Sequence, residues 1–114
     1  MYYVYVLRCA GDTLYTGITP DMHRRMTAHM TGRGAKYTRS HPPRSLAALW
    51  EAEDRTAAAR LEYAVKKRLD RAGKEELIAA PERWSTLLPQ LAALSFTPVS
   101  GVTLESCLEG ERNV

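Results

Sequence analysis

The amino-acid sequence predicts an α/β fold of the α+β type, in which short strands are combined with amphipathic helices. The run Tyr2–Cys9 is rich in β-branched and aromatic residues, which is typical of a strand. Apolar residues recur at helical spacing over residues 55–71 and predict one long helix. The chain has 114 residues, 45% hydrophobic and 25% charged, which fits one globular domain.

The chain opens with a predicted β-hairpin. Thr13–Ile18 is the second predicted strand, and Ala10–Asp12 forms the turn. With this loop length, Tyr5 pairs with Gly17, and Tyr5 and Tyr15 share one face of the sheet within side-chain reach. Because glycine has no side chain, Gly17 is expected to leave open space where a ligand approaches. A pair of packing tyrosines is the alternative, and a four-residue loop would separate the rings.

Capping residues, glycines and prolines divide the rest of the chain into helices, a loop, a strand and a tail. Thr19 is a predicted N-cap, Pro20 suits the first helical position, and Gly32 marks a helix end. Asp54 is the predicted N-cap of the long helix, and Gly73 follows that helix. In chain order, the predicted segments are a helix over 20–31, a basic loop over 33–43, a strand over 45–52, the long helix over 55–71, helices over 74–80 and 81–94, and a tail over 95–114.

The formal net charge is +3, and positive charge is concentrated in residues 20–44. All three histidines of the chain lie in the same segment. A basic cluster beside aromatic residues is typical of a polyanion-binding site, and a solvated surface on a mildly basic protein is the alternative. The basic residues are Arg24, Arg25, Arg33, Lys36, Arg39 and Arg44, and Asp21 is the one acidic residue among them.

Several protein classes are not expected from this sequence. No apolar run approaches the ~20 residues of a membrane-spanning helix. The N-terminal apolar run Tyr2–Leu7 is followed by Arg8 and has no basic segment before it, so it does not resemble a signal peptide. Cys9 and Cys107 are far apart and form no C-x-x-C pattern, which argues against a zinc site or a disulfide framework. These features predict a cytoplasmic protein without a membrane partner.

Two polar residues of the first predicted helix form a candidate phosphate site. Arg25 and His29 are four positions apart, so they stack on one side of the helix. They border the apolar stripe formed by Met22, Met26 and Met30, where the wall of a cleft is expected. An arginine there suits bidentate binding of phosphate, and a histidine can donate to phosphate or carry a proton. Two ordinary surface side chains are the alternative.

Glu62 is a candidate metal ligand on the long helix. It lies in line with the apolar residues Ala58, Val65 and Leu69. A carboxylate in that position is costly unless a positive group meets it. A magnesium ion needs only one or two protein carboxylates, because waters and phosphate oxygens complete its shell. The alternative is an ion pair between Glu62 and Lys66, one turn later.

The order and spacing of these residues resemble the GIY-YIG nuclease family. Tyr-Val-Tyr at 3–5 and Tyr-Thr-Gly at 15–17 correspond to the two name-giving motifs, with the tyrosines and the last glycine kept. Arg25 follows ten residues after the second tyrosine motif begins, and the helical Glu62 lies near the domain end. The stretch 34–39 is similar to the short single-domain bacterial branch, which is itself similar to Slx1-type structure-specific endonucleases.

The resemblance covers about residues 2–80 and implies a catalytic domain over 1–80. The helix predicted over 81–94 and the tail over 95–114 follow this domain. The resemblance implies a small three-stranded antiparallel sheet flanked by helices. It also implies a DNA endonuclease that uses one divalent cation, Mg²⁺ or Mn²⁺, to hydrolyse phosphodiester bonds. In-line attack would leave a 5′-phosphate and a 3′-hydroxyl.

The resemblance further implies a role for each candidate residue. Glu62 holds the metal, and either Tyr5 or Tyr15 orients or deprotonates the attacking water. Arg25 steadies the pentacoordinate phosphate. His29 assists through a hydrogen bond to Tyr5 or to the phosphate.

The basic segment is expected to position the DNA backbone through Arg24, Arg33, Lys36, Arg39 and Arg44. Tyr37 is expected to stack on an unpaired base. The sequence leaves open whether the DNA is branched or single-stranded and whether the protein acts in DNA repair or recombination. It also leaves open which protein partners it has.

Two other functions also remain open. A non-catalytic nucleic-acid-binding module would need the basic loop but neither Glu62 nor the tyrosine pair. A protein-interaction domain would need neither feature. It would use Trp84, Leu87 and Leu91 as an apolar face.

Overall fold

Residues 1–109 are described by a computed structural model of the chain, and this part contains four strands and six α-helices. The strands are β1 (Tyr2–Cys9), β2 (Thr13–Thr19), β3 (Pro43–Ala52) and β4 (Phe96–Pro98). The helices are α1 (Met22–Met30), α2 (Lys36–Ser40), α3 (Arg55–Arg68), α4 (Arg71–Ala79), α5 (Trp84–Leu87) and α6 (Leu104–Glu109). Short 3₁₀ turns, Pro81–Arg83 and Pro89–Leu91, flank α5.

The strands form one antiparallel sheet in the order β2-β1-β3-β4. The expected three-stranded sheet is therefore wrong by one strand. In β4, Phe96 pairs with Ala52 and Pro98 pairs with Trp50. A three-residue strand is too short to show an alternating pattern, and this one lies in a segment rich in Ser, Thr and Pro, so no pattern predicted it.

The predicted hairpin register is confirmed. Tyr5 pairs with Gly17 and Leu7 pairs with Tyr15, so the two tyrosines lie on one face. At the turn, Gly11 has φ +79°, a conformation that glycine adopts without a steric cost. The short turn therefore fixes which side chains of β2 face those of β1.

Hydrophobic side chains cover both faces of the sheet. Alternation along β1 directs Val4 and Val6 to the face that packs against α3. Tyr5 and Leu7 point to the other face, where the buried Met26 of α1 also lies. The sheet therefore lies between α3 on one side and α1 with α6 on the other.

The start of α1 and the basic loop differ from the prediction. Asp21 is the N-cap of α1, because its carboxylate accepts a hydrogen bond of 3.0 Å from the backbone N–H of Arg24. Thr19 belongs to β2, and Pro20 precedes the helix. The predicted loop over 33–43 contains α2, which packs through the buried Thr38.

The helical region after α3 is divided differently from the prediction. Asp54 caps α3 as expected, but Asp70 starts a new helix by accepting a hydrogen bond of 2.8 Å from the backbone N–H of Gly73. Gly73 is therefore inside α4 instead of following a helix end. The predicted single helix over 81–94 is wrong, because a 3₁₀ turn begins at Pro89 and interrupts it.

The proposed apolar interaction face is also wrong. Trp84, Leu87 and Leu91 pack against the hydrophobic core beside α3. The Trp84 ring contacts Phe96 edge to face, with ring centroids 4.9 Å apart. Leu91 is buried, and Trp84 and Leu87 are partly buried, so these side chains contribute mainly to the fold.

The expectation of a tail after residue 94 is wrong for the residues that the structure describes, because the segment up to Glu109 contains a strand and a helix. Its strand β4 extends the sheet, and its helix α6 packs on α1 with Leu104 and Cys107 buried. A reciprocal cap starts α6, because Thr103 and Ser106 each accept from the other's backbone N–H. Residues 110–114 of the predicted tail lie outside the described part.

The helices within residues 1–109 are all too short or too polar to cross a membrane.

Candidate active site

The hydroxyl of Tyr5 joins β1 to α1 at the centre of the site. Tyr5 is completely buried, with 0% of its surface exposed. Its oxygen lies 2.8 Å from His29 Nε2 and accepts a hydrogen bond of 3.2 Å from Arg25 Nε. The spacing of Arg25 and His29 on α1 thus brings both side chains to one tyrosine.

The other nitrogen of His29 is held by a residue that the sequence analysis missed. His29 Nδ1 lies 2.8 Å from Thr38 Oγ1, and the Thr38 hydroxyl donates to the Ala35 carbonyl at 2.9 Å. Because that hydroxyl has one proton, Thr38 must accept from Nδ1–H. His29 Nε2 then carries the lone pair and accepts a hydrogen bond from the Tyr5 hydroxyl.

The pKa values of this pair favour the same arrangement. Burial, with the positive charge of Arg25 as the second cause, lowers the pKa of His29 to about 4. Burial raises the pKa of Tyr5 to about 12, although Arg25 acts in the opposite direction. At neutral pH the imidazole is an uncharged acceptor, and the phenol keeps the proton that it donates.

Two glycines allow this close packing. A Cβ at position 17 would lie 2.6 Å from Cζ of Tyr5, so only glycine fits opposite that ring. The space expected above Gly17 is therefore filled by Tyr5 itself instead of being open to a ligand. A Cβ at Gly34 would lie 2.9 Å from Cα of His29. Gly34 was also missed, because it reads as an ordinary loop glycine.

Tyr15 lies at the more open side of the cluster. It is half-buried, and its ring centroid lies 6.4 Å from that of Tyr5 and 5.5 Å from that of His29. Tyr37 stacks on Tyr15 at 5.9 Å and on His41 at 4.4 Å. The Tyr37 ring therefore already has two protein rings as neighbours. The stacking of an unpaired base on Tyr37 stays a prediction.

Glu62 reaches the same region from α3. Its side chain is 24% exposed, and Lys66 Nζ lies 3.3 Å from one carboxylate oxygen. Lys66 Nζ also lies 5.5 Å from the centre of the Tyr15 ring. The charge of Glu62 is one of the causes that raise the pKa of Tyr5. The ion pair considered as an alternative is thus present, beside the tyrosines.

The donor set limits which metal the site could hold. Among residues 1–109, no group of three or more His, Cys, Asp or Glu side chains is placed to hold an ion. Glu62 alone fits a Mg²⁺ or Mn²⁺ ion whose other ligands are waters and substrate phosphate oxygens. It does not fit zinc, which usually needs at least three protein ligands.

The basic residues predicted to bind DNA are all exposed, and their contact with a phosphate backbone stays a prediction. They are Arg24, Arg33, Lys36, Arg39 and Arg44.

Two tyrosines on the edge hairpin of the antiparallel sheet thus lie next to an arginine, a histidine and a carboxylate. The sequence model of the GIY-YIG catalytic domain matches residues 1–75. The chain therefore belongs to the GIY-YIG family, a superfamily of nucleases.

The chain is similar to short members of that family over most of their length. It is 46% identical to UPF0213 protein NP_0776A of Natronomonas pharaonis over 78 residues, which cover 68% of this chain and 91% of the relative. It is 41% identical to UPF0213 protein YhbQ of Salmonella arizonae over 90 residues, 79% and 89% of the two chains. The solution NMR structure of UPF0213 protein BH0048 from Bacillus halodurans matches with 43% identity, coverage of 77% and 97%, and a TM-score of 0.46.

Proposed function

We propose that the protein is a metal-dependent endonuclease that hydrolyses phosphodiester bonds in DNA. The observation that carries this proposal is the hydrogen-bonded chain from Arg25 through Tyr5 to His29. It joins a phosphate-binding cation to a phenol that has a proton acceptor behind it. Cleavage of branched or single-stranded DNA, and a role in DNA repair, are narrower forms of the same proposal.

This hydrogen-bonded chain supports proton transfer from the attacking water. Tyr5 already donates to His29 Nε2. Because Tyr5 is fully buried here, this role requires that substrate binding bring the attacking water within hydrogen-bond reach of its oxygen. The oxygen can then take a proton from the water while its own proton passes to the imidazole. Among residues 1–109, Tyr15 has no such acceptor behind its hydroxyl, and its ring is the more accessible of the two. We therefore assign the proton-accepting role to Tyr5 and the orientation of water and phosphate to Tyr15.

Arg25 supports both binding and proton transfer. Its guanidinium suits a phosphate oxygen whose charge grows as the pentacoordinate state forms. Its positive charge is also one cause of the low pKa of His29. A phosphate anion beside Arg25 offsets that charge, so substrate binding makes His29 a better proton acceptor at the moment when one is needed.

Glu62 is the residue that would hold the divalent cation. Bound there, such an ion supplies positive charge to the phosphate and polarises it for attack. The Glu62 carboxylate is occupied by Lys66 without the ion. Lys66 must therefore turn away before a cation binds, which its long exposed side chain allows.

The second candidate is a nucleic-acid-binding module without catalysis. The Glu62–Lys66 ion pair favours it, because a paired carboxylate needs no metal. A plasmid-nicking assay with Mg²⁺, Mn²⁺ or EDTA separates the two functions. The wild type should nick in the presence of either ion and be inactive in EDTA.

The variant Glu62→Gln tests the metal site at equal DNA occupancy. We expect a rate loss of about 10²–10³-fold, because one electrostatic group at the phosphate is removed. Glu76→Gln is the matched control. Glu76 is an exposed carboxylate of α4 that pairs with Arg83, so this substitution should leave the rate unchanged. Equal rates for wild type and Glu62→Gln would contradict the assignment of the metal, and absence of nicking by the wild type on any substrate would favour the binding module.

A further inference from the structure

A groove on the outer side of α3 has no role in the cluster around Tyr5. It has a volume of about 480 Å³ and lies between α3 and the turn at Gln90 and Leu91. Arg55, Arg60 and Arg68 are among its lining residues. Its floor is largely apolar, with Leu91 and alanines of α3. The groove therefore combines an apolar floor with a positively charged rim.

The groove and the cluster lie on opposite flanks of α3. Successive residues of an α-helix are about 100° apart, so Arg60 and Glu62 are separated by about 160° around the axis. Tyr63 lies in the groove on the same flank as Arg60. A helix with its side chains is about 10–12 Å across, so a nucleic-acid strand that leaves the cluster can reach the groove within a few nucleotides.

The cations around the groove have no carboxylate partners among residues 1–109. Arg8, Arg71 and Arg83 each form an ion pair elsewhere in the molecule. In contrast, none of the cations on this side of α3 is in an ion pair within the described chain. They are Arg55, Arg60, Lys67 and Arg68. Neighbouring charges of one sign repel, so their arrangement favours an anionic ligand.

Tyr63 adds an aromatic surface to this positive charge. It is 56% exposed, the largest exposed fraction of any aromatic side chain among the described residues. The Arg68 guanidinium lies 6.0 Å from the centre of its ring. Proteins that bind single strands combine a positive groove with aromatic rings on which bases stack. A base inside a duplex is stacked between its neighbours and has no free ring face, whereas an unpaired base has one.

We infer that the α3 groove binds an unpaired segment of a DNA strand, with a base stacked on Tyr63 and phosphates paired with Arg60 and Arg68. The inference deepens the proposed function by naming single-stranded DNA as part of the substrate, and it rests on that function only for the link to cleavage. An apolar peptide is the other occupant that the floor would accept. It would leave the positive rim unpaired unless the peptide were acidic.

Fluorescence anisotropy of a labelled oligothymidine, measured with the full chain in EDTA, tests the groove without cleavage. Tyr63→Ala should weaken binding by about tenfold, because one stacked base is lost. Tyr63→Phe should bind like the wild type, since it keeps the ring. Neither change should alter the melting temperature, because the side chain is largely exposed. A duplex of equal length should bind equally to all three proteins.

Arg60→Ala tests the phosphate contact separately. It should reduce the slope of log affinity against log salt by about 0.7, the contribution of one contact to a single strand. Arg83→Ala is the control, because Arg83 pairs with Glu76 away from the groove and should keep the slope. Unchanged affinity in Tyr63→Ala together with an unchanged slope in Arg60→Ala would overturn the inference and leave the peptide as occupant.

The same measurements distinguish this inference from the proposed function. If Tyr63→Ala loses affinity for the single strand while the wild type nicks no substrate, the groove is upheld and the nuclease is refuted. If the wild type nicks and Tyr63→Ala binds and nicks equally well, the nuclease stands and the groove is refuted.

Discussion

One buried hydroxyl controls which nitrogen of His29 accepts a proton. Thr38 is 1% exposed, so no water competes for its hydrogen bonds. Its single proton is directed to the Ala35 carbonyl, and its oxygen accepts from His29 Nδ1. The free lone pair is then on Nε2, which faces Tyr5. Thr38 thus orients the imidazole of His29.

Replacement of Thr38 with valine should impair proton transfer while leaving DNA binding intact. Valine has nearly the same shape but cannot accept from Nδ1–H, so His29 would also populate the tautomer that has its proton on Nε2. We expect nicking to fall by about 10–100-fold at equal DNA occupancy, as for other partners that orient a histidine. Thr38→Ser keeps the hydroxyl and should restore most of the rate.

The ¹⁵N chemical shifts of His29 report the tautomer directly. In the wild type they should show the proton on Nδ1, and in Thr38→Val they should show a mixture. A Thr38→Val protein with wild-type shifts and reduced nicking would contradict the positioning role, because the rate loss would then have a different cause.

Spacing along the sequence could identify only those site residues that lie on regular helices and strands. Arg25 and His29 are one helical turn apart, and the hairpin register related Tyr5 to Gly17, so their proximity followed from local geometry. Thr38 could not be found in this way. It meets His29 only because the segment after α1 folds back as a short helix, and a five-residue helix leaves no clear periodicity.

At the scale of elements, the last described segments hold α1 against the sheet. β4 covers part of the β3 edge, and α6 packs on α1, the helix that carries Arg25 and His29. A hydrogen bond of 2.8 Å between His23 Nδ1 and the Cys107 carbonyl also links α1 to α6. The position of the cluster around Tyr5 therefore depends on a segment beyond residues 1–75, the part matched by the family model.

Deletion of residues 95–114 should consequently destabilise the protein. It removes the buried side chains of Phe96, Leu104 and Cys107 and exposes the core beneath them. Burial of one large apolar side chain contributes about 1.5–3 kcal/mol, so we expect a much lower melting temperature or loss of the cooperative transition. Differential scanning calorimetry measures both.

Point variants separate packing from chain length in the same experiment. Leu104→Ala should lower the free energy of unfolding by about 2–5 kcal/mol, because Leu104 is 3% exposed. Glu105→Ala, at the exposed neighbouring position, should change it by less than about 0.5 kcal/mol. A truncated protein with the melting curve of the wild type would show that β4 and α6 are dispensable.

Element length explains which of these segments the sequence could predict. β1, β2 and α3 have 8, 7 and 14 residues, and their patterns extend far enough to be recognised. β4 and α6 have 3 and 6 residues and form because a tertiary surface is available to them. Short helices have little stability of their own, so their positions depend on contacts that a sequence pattern does not contain.

At the scale of the whole molecule, two groups with lowered pKa values respond to acid in different pH ranges. Glu75 of α4 pairs with Arg8 of β1 and with Arg71, which also pairs with Asp12 in the hairpin turn. The hydrogen bond from Arg8, with a second one from Arg71, lowers the pKa of Glu75 from 4.5 to about 2. Its contribution to stability is therefore complete above pH 4.5 and is lost as the pH falls toward 2.

His29 acts at higher pH, because its pKa falls from 6.5 to about 4 on folding. Between these values the unfolded chain binds the proton and the folded protein does not, so the free energy of unfolding rises with pH in this range. The stabilisation is complete above pH 6.5 and is lost as the pH falls to 4. A difference of this size corresponds to about 3 kcal/mol.

Urea denaturation at a series of pH values tests this assignment. The wild type should lose about 3 kcal/mol of stability from His29 between pH 6.5 and 4. His29→Gln replaces the imidazole with a group that does not titrate, so this variant should be less stable at pH 7 but show a much flatter curve in that range. Both proteins should weaken together below pH 4.5, where Glu75 becomes protonated. A His29→Gln curve parallel to that of the wild type between pH 6.5 and 4.5 would mean that His29 is not the buried neutral group, and the proton acceptor assigned to Tyr5 would have to be another residue.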